Sequence, residues 1–221
     1  MSMNVMKRLL EAVQDIWEQY YEHPFVLGIQ NGTLEKKKFR YYMIQDYLYL
    51  IDYTKVFGIG LAKAATKKSR NIFTKYIQSL NKELDIHYGY MKTLQITQEE
   101  IACARPSLDN LSYTSYMLRV AYESSEAEIL AAVLSCAVSY EYIANYMKKM
   151  NPYCEKDDFY GDWVSGYGSK SYHMENEELI DMLEEMAEIY PEKQIQNLIE
   201  IFVNCSRYEL EFWNMAWQLK K

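Results

Sequence analysis

From Ser125 to Asn151 the chain reads SEAEILAAVLSCAVSYEYIANYMKKMN, and this stretch limits the fold more than any other. Ser125 and Glu128 stand three apart, the spacing of a capping box. No Gly or Pro follows until Pro152, which marks the stop. The centre is nearly all Ala, Val, Leu and Ile, so a helix here is buried on most of its circumference and other elements must surround it. Cys136 and Tyr140 lie one helical turn apart on the same face.

The rest of the chain offers the surrounding helices. Among 221 residues only 8 are Gly and 4 Pro, and apolar positions recur with helical spacing almost throughout. No stretch alternates with period two long enough to compete as a sheet. The pattern predicts an all-α bundle of eight or nine helices. The first spans about Asn4 to Tyr21, and a loop from His23 to Gly32 carries turn residues. Thr33 caps a long helix to about Lys67, and Ser69 opens the next, to about Leu94. Thr97 with Glu100 opens a short helix before Pro106, and another runs from about Asp109 to Tyr122. The region after Pro152 is the least regular, and two helices close the chain, roughly Ser171–Tyr190 and Glu192–Gln218. No linker, charge block or internal repeat divides the sequence, so residues 1–221 read as one domain.

A net charge of −7 argues against nucleic acid as a partner, because no basic surface offsets phosphate charge. No signal-peptide core and no uninterrupted apolar window of membrane-spanning length are found, so no membrane partner is expected. Four cysteines without CxxC spacing suit a reduced, cytoplasmic protein.

Two acids are out of place. The face Phe39, Tyr42, Met43, Asp46, Tyr49, Leu50, Tyr53, Phe57 is apolar or aromatic except for Asp46. An unpaired carboxylate there costs several kcal/mol, so Asp46 needs partners, either neighbouring tyrosines or a distant Arg or Lys. Phe202, Cys205, Glu209, Trp213 and Ala216 repeat the puzzle, whereas Glu211, four residues after Arg207, reads as an ordinary exposed ion pair. Apolar surroundings raise a glutamate's pKa, which lets Glu209 hold a proton near neutrality as a general acid does. Cys136 alone is weak evidence, since buried cysteines mostly act as small hydrophobes. A reactive thiolate there needs a nearby donor, and Tyr140 is the first candidate. Metal sites are poorly supported: the three histidines are His23, His87 and His173, and the Glu83–His87 pair has no mirror-image second pair. Gly166-Tyr167-Gly168 lacks phosphate-loop spacing.

With these residues in place, the sequence resembles the TenA/thiaminase II family, whose fold is haem-oxygenase-like. The resemblance rests on His23-Pro24-Phe25-Val26 with Gly28 and Asn31-Gly32-Thr33-Leu34, Gln45-Asp46-Tyr47-Leu48-Tyr49-Leu50, Glu83 with His87, Ser112-Tyr113-Thr114, Cys136 with Tyr140, Gly166-Tyr167-Gly168 and Ser206 through Trp213 ending in Met215-Ala216, in this order. It implies an aminopyrimidine aminohydrolase that converts 4-amino-5-aminomethyl-2-methylpyrimidine to the hydroxymethyl compound in thiamin salvage, with thiamin itself a substrate of many members. It also implies Cys136 as nucleophile, Glu209 as acid/base and Asp46 as the group binding the pyrimidine ring nitrogen and 4-amino group. Tyr49, Tyr113, Tyr140 and Tyr167 match pocket positions. No metal or organic cofactor is implied, and members are usually homotetramers. The alternatives are a non-catalytic pyrimidine-binding or regulatory protein and a haem-oxygenase-like metal oxidase. Two departures, Ser135 where the family often carries Pro and Val138 where it often carries Trp, bear on substrate preference.

Overall fold

The computed structural model describes residues 4–220, apart from the side chains of Lys82, Asp85 and Ile86. These residues form ten α-helices and one 3-10 turn, with no strand among them. The helices are α1 (Val5–Glu22), α2 (Pro24–Gln30), α3 (Lys36–Lys63), α4 (Lys67–Thr93), α5 (Gln98–Cys103), α6 (Leu108–Glu123), α7 (Glu126–Met150), α8 (Gly161–Tyr167), α9 (Lys170–Ala187) and α10 (Glu192–Gln218).

The central stretch is α7, capped at Ser125 as its sequence predicts. It touches α1, α2, α3, α6, α8, α9 and α10, and every residue from 129 to 141 is buried. Its small side chains let so many neighbours approach. By length and composition α7 could also cross a membrane, contrary to the sequence reading, but 83% of its apolar window is buried inside the fold. Packing against other helices accounts for that apolarity.

Two of the ten helices, α2 and α8, lie where no helix is expected from the sequence, and both begin where local chemistry favours a turn. His23 caps α2, its Nδ1 accepting from the Phe25 amide at 3.2 Å, and Pro24 takes the first helical position, where no amide is needed. The segment expected as a loop is therefore mostly helix. It ends at Gly32, whose φ of +67° lies in the left-handed region that favours glycine. Helix α8 opens after Asp157 Oδ1 accepts from the Phe159 and Tyr160 amides at 2.9 and 2.7 Å. Thr33 does not cap α3, which starts at Lys36 after Glu35; Thr66, not Ser69, caps α4, with Ser69 returning the bond to the Thr66 amide. Exposed Glu211 lies 3.4 Å from Lys220 rather than pairing as expected with Arg207, because the chain turns back past the end of α10.

Candidate active site

Helices α3, α4, α7, α8 and α9 enclose a cavity of about 610 Å³. On α4 its wall follows Tyr76, Ser79, Glu83, His87 and Tyr90, one face at helical spacing. At 1.5 Å per residue that face is about 21 Å long. On α3 the matching face is Met43, Asp46, Tyr49, Leu50 and Tyr53. Cys136 and Tyr140 of α7 and Tyr167 of α8 complete the centre of the wall.

Asp46 finds its partner across the α3–α4 contact. His87 Nε2 lies 2.6 Å from Asp46 Oδ2, and His87 Nδ1 lies 3.0 Å from the Glu83 backbone carbonyl. Both ring nitrogens thus face acceptors, the arrangement that suits an imidazolium. Burial disfavours the charge, yet the Asp46 hydrogen bond and the charges of Asp46 and Glu83 outweigh it, and the His87 pKa is raised. The partner is neither a tyrosine nor an Arg or Lys. Since the raised pKa belongs to the folded state, the pair's contribution is complete below about pH 6.5 and fades as pH climbs through the raised value. His87→Ala strands a buried carboxylate and is expected to destabilise the protein by about 3 kcal/mol. Thermal unfolding measures this, and adding Asp46→Asn to the same chain should restore part of the loss.

Glu209 lies one layer behind the cavity wall and is 1% exposed. Burial, then the charge of Asp46, pushes its pKa up to about 8, against hydrogen bonding from Tyr113, Tyr140 and Cys136. The thiol of Cys136 is pushed well above its usual range by burial and by the Glu209 charge, with Tyr49 opposing through a hydrogen bond. The Tyr49 hydroxyl itself donates to Met117 Sδ at 3.8 Å. Tyr140 instead accepts from the Tyr42 hydroxyl at 3.3 Å and faces Glu209. Both Cys136 and Glu209 are thus reluctant to ionise, and at neutral pH each holds its proton.

Of the residues singled out in the sequence, Asp46, Tyr49, Cys136, Tyr140 and Tyr167 line the cavity. Tyr113, fully buried, packs behind it beside Glu209, and among the described residues its hydroxyl has no hydrogen-bond partner of good geometry. Glu83 and His87, which the sequence marks as a pair on one helix face and as a match to the family, also line the cavity, a position that the sequence does not assign them. Among the described residues, no group of three or more His, Cys, Asp or Glu side chains is arranged to hold a metal ion.

Residues 10–219 match the model of the TENA/THI-4/PQQC family. The chain belongs to this family. It is 44% identical over 217 residues to an aminopyrimidine aminohydrolase of Helicobacter pylori, covering 98% of this chain and 100% of that one. It is 42% identical over 216 residues to an aminopyrimidine aminohydrolase of Halalkalibacterium halodurans, covering 97% and 96%. Among solved structures, a TenA homologue from P. horikoshii superposes with a TM-score of 0.86 at 29% identity, covering 97% of this chain and 98% of that one. Heme oxygenase-1 of Synechocystis superposes with a TM-score of 0.65 at 14% identity over 96% and 91% of the two chains, a likeness of fold alone. As a TENA/THI-4/PQQC protein the chain has the all-α, haem-oxygenase-like architecture expected of it, with its acids and its cavity thiol around one space.

Proposed function

We propose that this protein is an aminopyrimidine aminohydrolase that releases ammonia from 4-amino-5-aminomethyl-2-methylpyrimidine by cysteine addition to the ring. The observation that carries this reading is the adjacency of the Cys136 thiol and the Glu209 carboxyl at a cavity that also presents Asp46. The names of the two bacterial relatives at 44% and 42% identity support the same reaction.

The ring binds in its protonated, amidinium form, with Asp46 accepting from the ring N–H and the 4-amino group. His87 fixes one oxygen of Asp46 and orients the other. Glu209 takes the thiol proton, and the sulfur adds to the ring carbon beside the one bearing the methylene. The amidinium edge takes up the electron pair and returns it to expel the amine. Tyr140, in the cavity wall and facing Glu209, passes the carboxyl's proton to the departing nitrogen, which leaves as ammonia. Water then adds to the exposed methylene and gives a proton to Glu209. Loss of the thiolate restores the ring, and Glu209 returns the proton to sulfur. The ring proton stays in place throughout, and no cofactor takes part.

Thiamin offers the same ring and methylene with a thiazolium leaving group, and it is the second substrate to test. Incubation with each compound, following ammonia and thiazole release, is the assay. Release of ammonia from the aminomethyl pyrimidine is expected; release of neither product refutes the reaction.

Four unpaired cysteines, one of them the nucleophile, suit a reducing cytoplasmic setting, and the substrate is a small molecule rather than nucleic acid or membrane. We further propose a homotetramer. It is supported by an exposed apolar stripe on α6, Leu108, Leu111 and Tyr122, at 73%, 45% and 71% exposure. A second copy of the chain is its proposed occupant. Light scattering should give four chains for the wild type and a smaller species for Leu108→Asp with Tyr122→Asp; a wild-type monomer overturns the assignment.

A further inference from the structure

We propose that Glu83 is a positioning residue that holds the Tyr167 ring in the cavity wall, where the pyrimidine is bound. The inference rests on the reaction proposed above and adds a residue to its binding machinery. The Tyr167 hydroxyl donates to Glu83 Oε1 at 2.7 Å, joining α8 to α4 across the cavity. The aromatic ring is then confined on three sides. Its centroid lies 4.7 Å from that of Tyr140, 4.9 Å from Trp163 and 5.3 Å from Tyr172. The turn that follows is tied to the helix of the nucleophile, because Lys148 Nζ of α7 donates to the Gly168 carbonyl at 2.6 Å.

Among the described residues, Glu83 is the one hydrogen-bond partner of the Tyr167 hydroxyl. The segment that carries it is short, with glycine on both sides at 166 and 168. A hydrogen bond to a charged acceptor is worth about 1.5–3 kcal/mol, or roughly tenfold to a hundredfold in an equilibrium constant. Tyr167 packs on Tyr140, and Tyr140 touches Glu209, so a wandering Tyr167 loosens the face that receives the ring more than the groups that move protons. The cost of losing Glu83 therefore falls on binding. Burial raises the Glu83 pKa, and the His87 charge and the Tyr167 bond oppose that rise. A neutral amide oxygen accepts from the same hydroxyl, so Gln can replace the carboxyl.

The test uses four full-length proteins: Glu83→Ala, Glu83→Gln, Tyr167→Phe and the double variant Glu83→Ala with Tyr167→Phe. Two readouts are needed: ammonia release, and binding of the hydroxymethyl pyrimidine by calorimetry. Glu83→Ala and Tyr167→Phe should each raise KM and the dissociation constant about tenfold, with kcat changed less than threefold. Glu83→Gln should stay within threefold of the wild type. In the Tyr167→Phe background, Glu83→Ala should cost nothing more, because the bond is already gone. Additive losses in the double variant would show that Glu83 acts on the substrate directly, and unchanged binding in Glu83→Ala would show that the bond positions nothing; either overturns the proposal. A wild type that releases no ammonia but binds the pyrimidine condemns the proposed reaction instead, and the calorimetric arm still decides Glu83.

Discussion

Glu209→Gln should release ammonia between a hundredfold and ten-thousandfold more slowly than the wild type, on the order of what a positioned acid/base contributes. Its affinity for the hydroxymethyl pyrimidine should change little, since Glu209 stands behind the wall and Asp46 meets the ring. Glutamine matches the shape and keeps an acceptor for Tyr113 and Tyr140 but cannot take the thiol proton. The pH profile should change with it. The pKa of Glu209 is pushed up to about 8 by burial and then by the Asp46 charge. In the wild type kcat/KM should rise with pH toward about 8, as the carboxyl becomes able to accept the proton of Cys136; the variant should lack that limb. A profile of the same shape in both proteins would remove Glu209 from the proton path.

The same group ties stability to pH, and the sign follows from which state holds the proton. Between the ordinary carboxyl value of 4.5 and about 8, folded Glu209 is protonated and unfolded Glu209 is not. The folded state binds more protons there, so stability falls as pH rises across that window and levels off above it. The full span is roughly 5 kcal/mol. Thermal unfolding at several pH values should show Glu209→Gln gaining on the wild type from pH 5 to pH 8. A constant difference would mean that the carboxyl ionises normally in the fold.

Cys136→Ser should lose at least about a thousandfold in turnover, because removal of a covalent catalyst leaves only binding and orientation. The thiol is already reluctant to ionise, pushed up by burial and by the Glu209 charge, and a hydroxyl in the same place is far more so. Binding of the pyrimidine should survive, since the cavity keeps its shape when oxygen replaces sulfur. Ammonia release and calorimetry on the same preparation separate the two effects. Turnover at the wild-type rate would exclude the thiol as nucleophile.

How far the sequence carried is clearest at the two acids. Asp46 and Glu209 each interrupt an apolar helix face, and that local pattern marked both before any fold was known. The capping boxes at Thr97 and Ser125 were equally visible, because helix starts are written within four residues. What stayed hidden depends on contacts between helices. The partner of Asp46 is His87, 41 residues away on α4, and only the α3–α4 packing brings the two together. Tyr140 shares one face of α7 with Cys136, but its hydroxyl accepts from Tyr42, which α3 brings from almost a hundred residues away. Likewise Glu83 and Tyr167 meet across 84 residues. The loop expected from His23 to Gly32 failed for a different reason. Pro24 looks like one of the turn residues of that loop, whereas at a first helical position it starts α2.

The most direct test of the reaction is to incubate the wild type with 4-amino-5-aminomethyl-2-methylpyrimidine in water enriched in heavy oxygen. Both ammonia and the hydroxymethyl product should be followed. The account predicts equal amounts of the two, with the label in the hydroxymethyl group, and no measurable turnover by Cys136→Ser. Absence of ammonia from the wild type, or a product without the label, would contradict it.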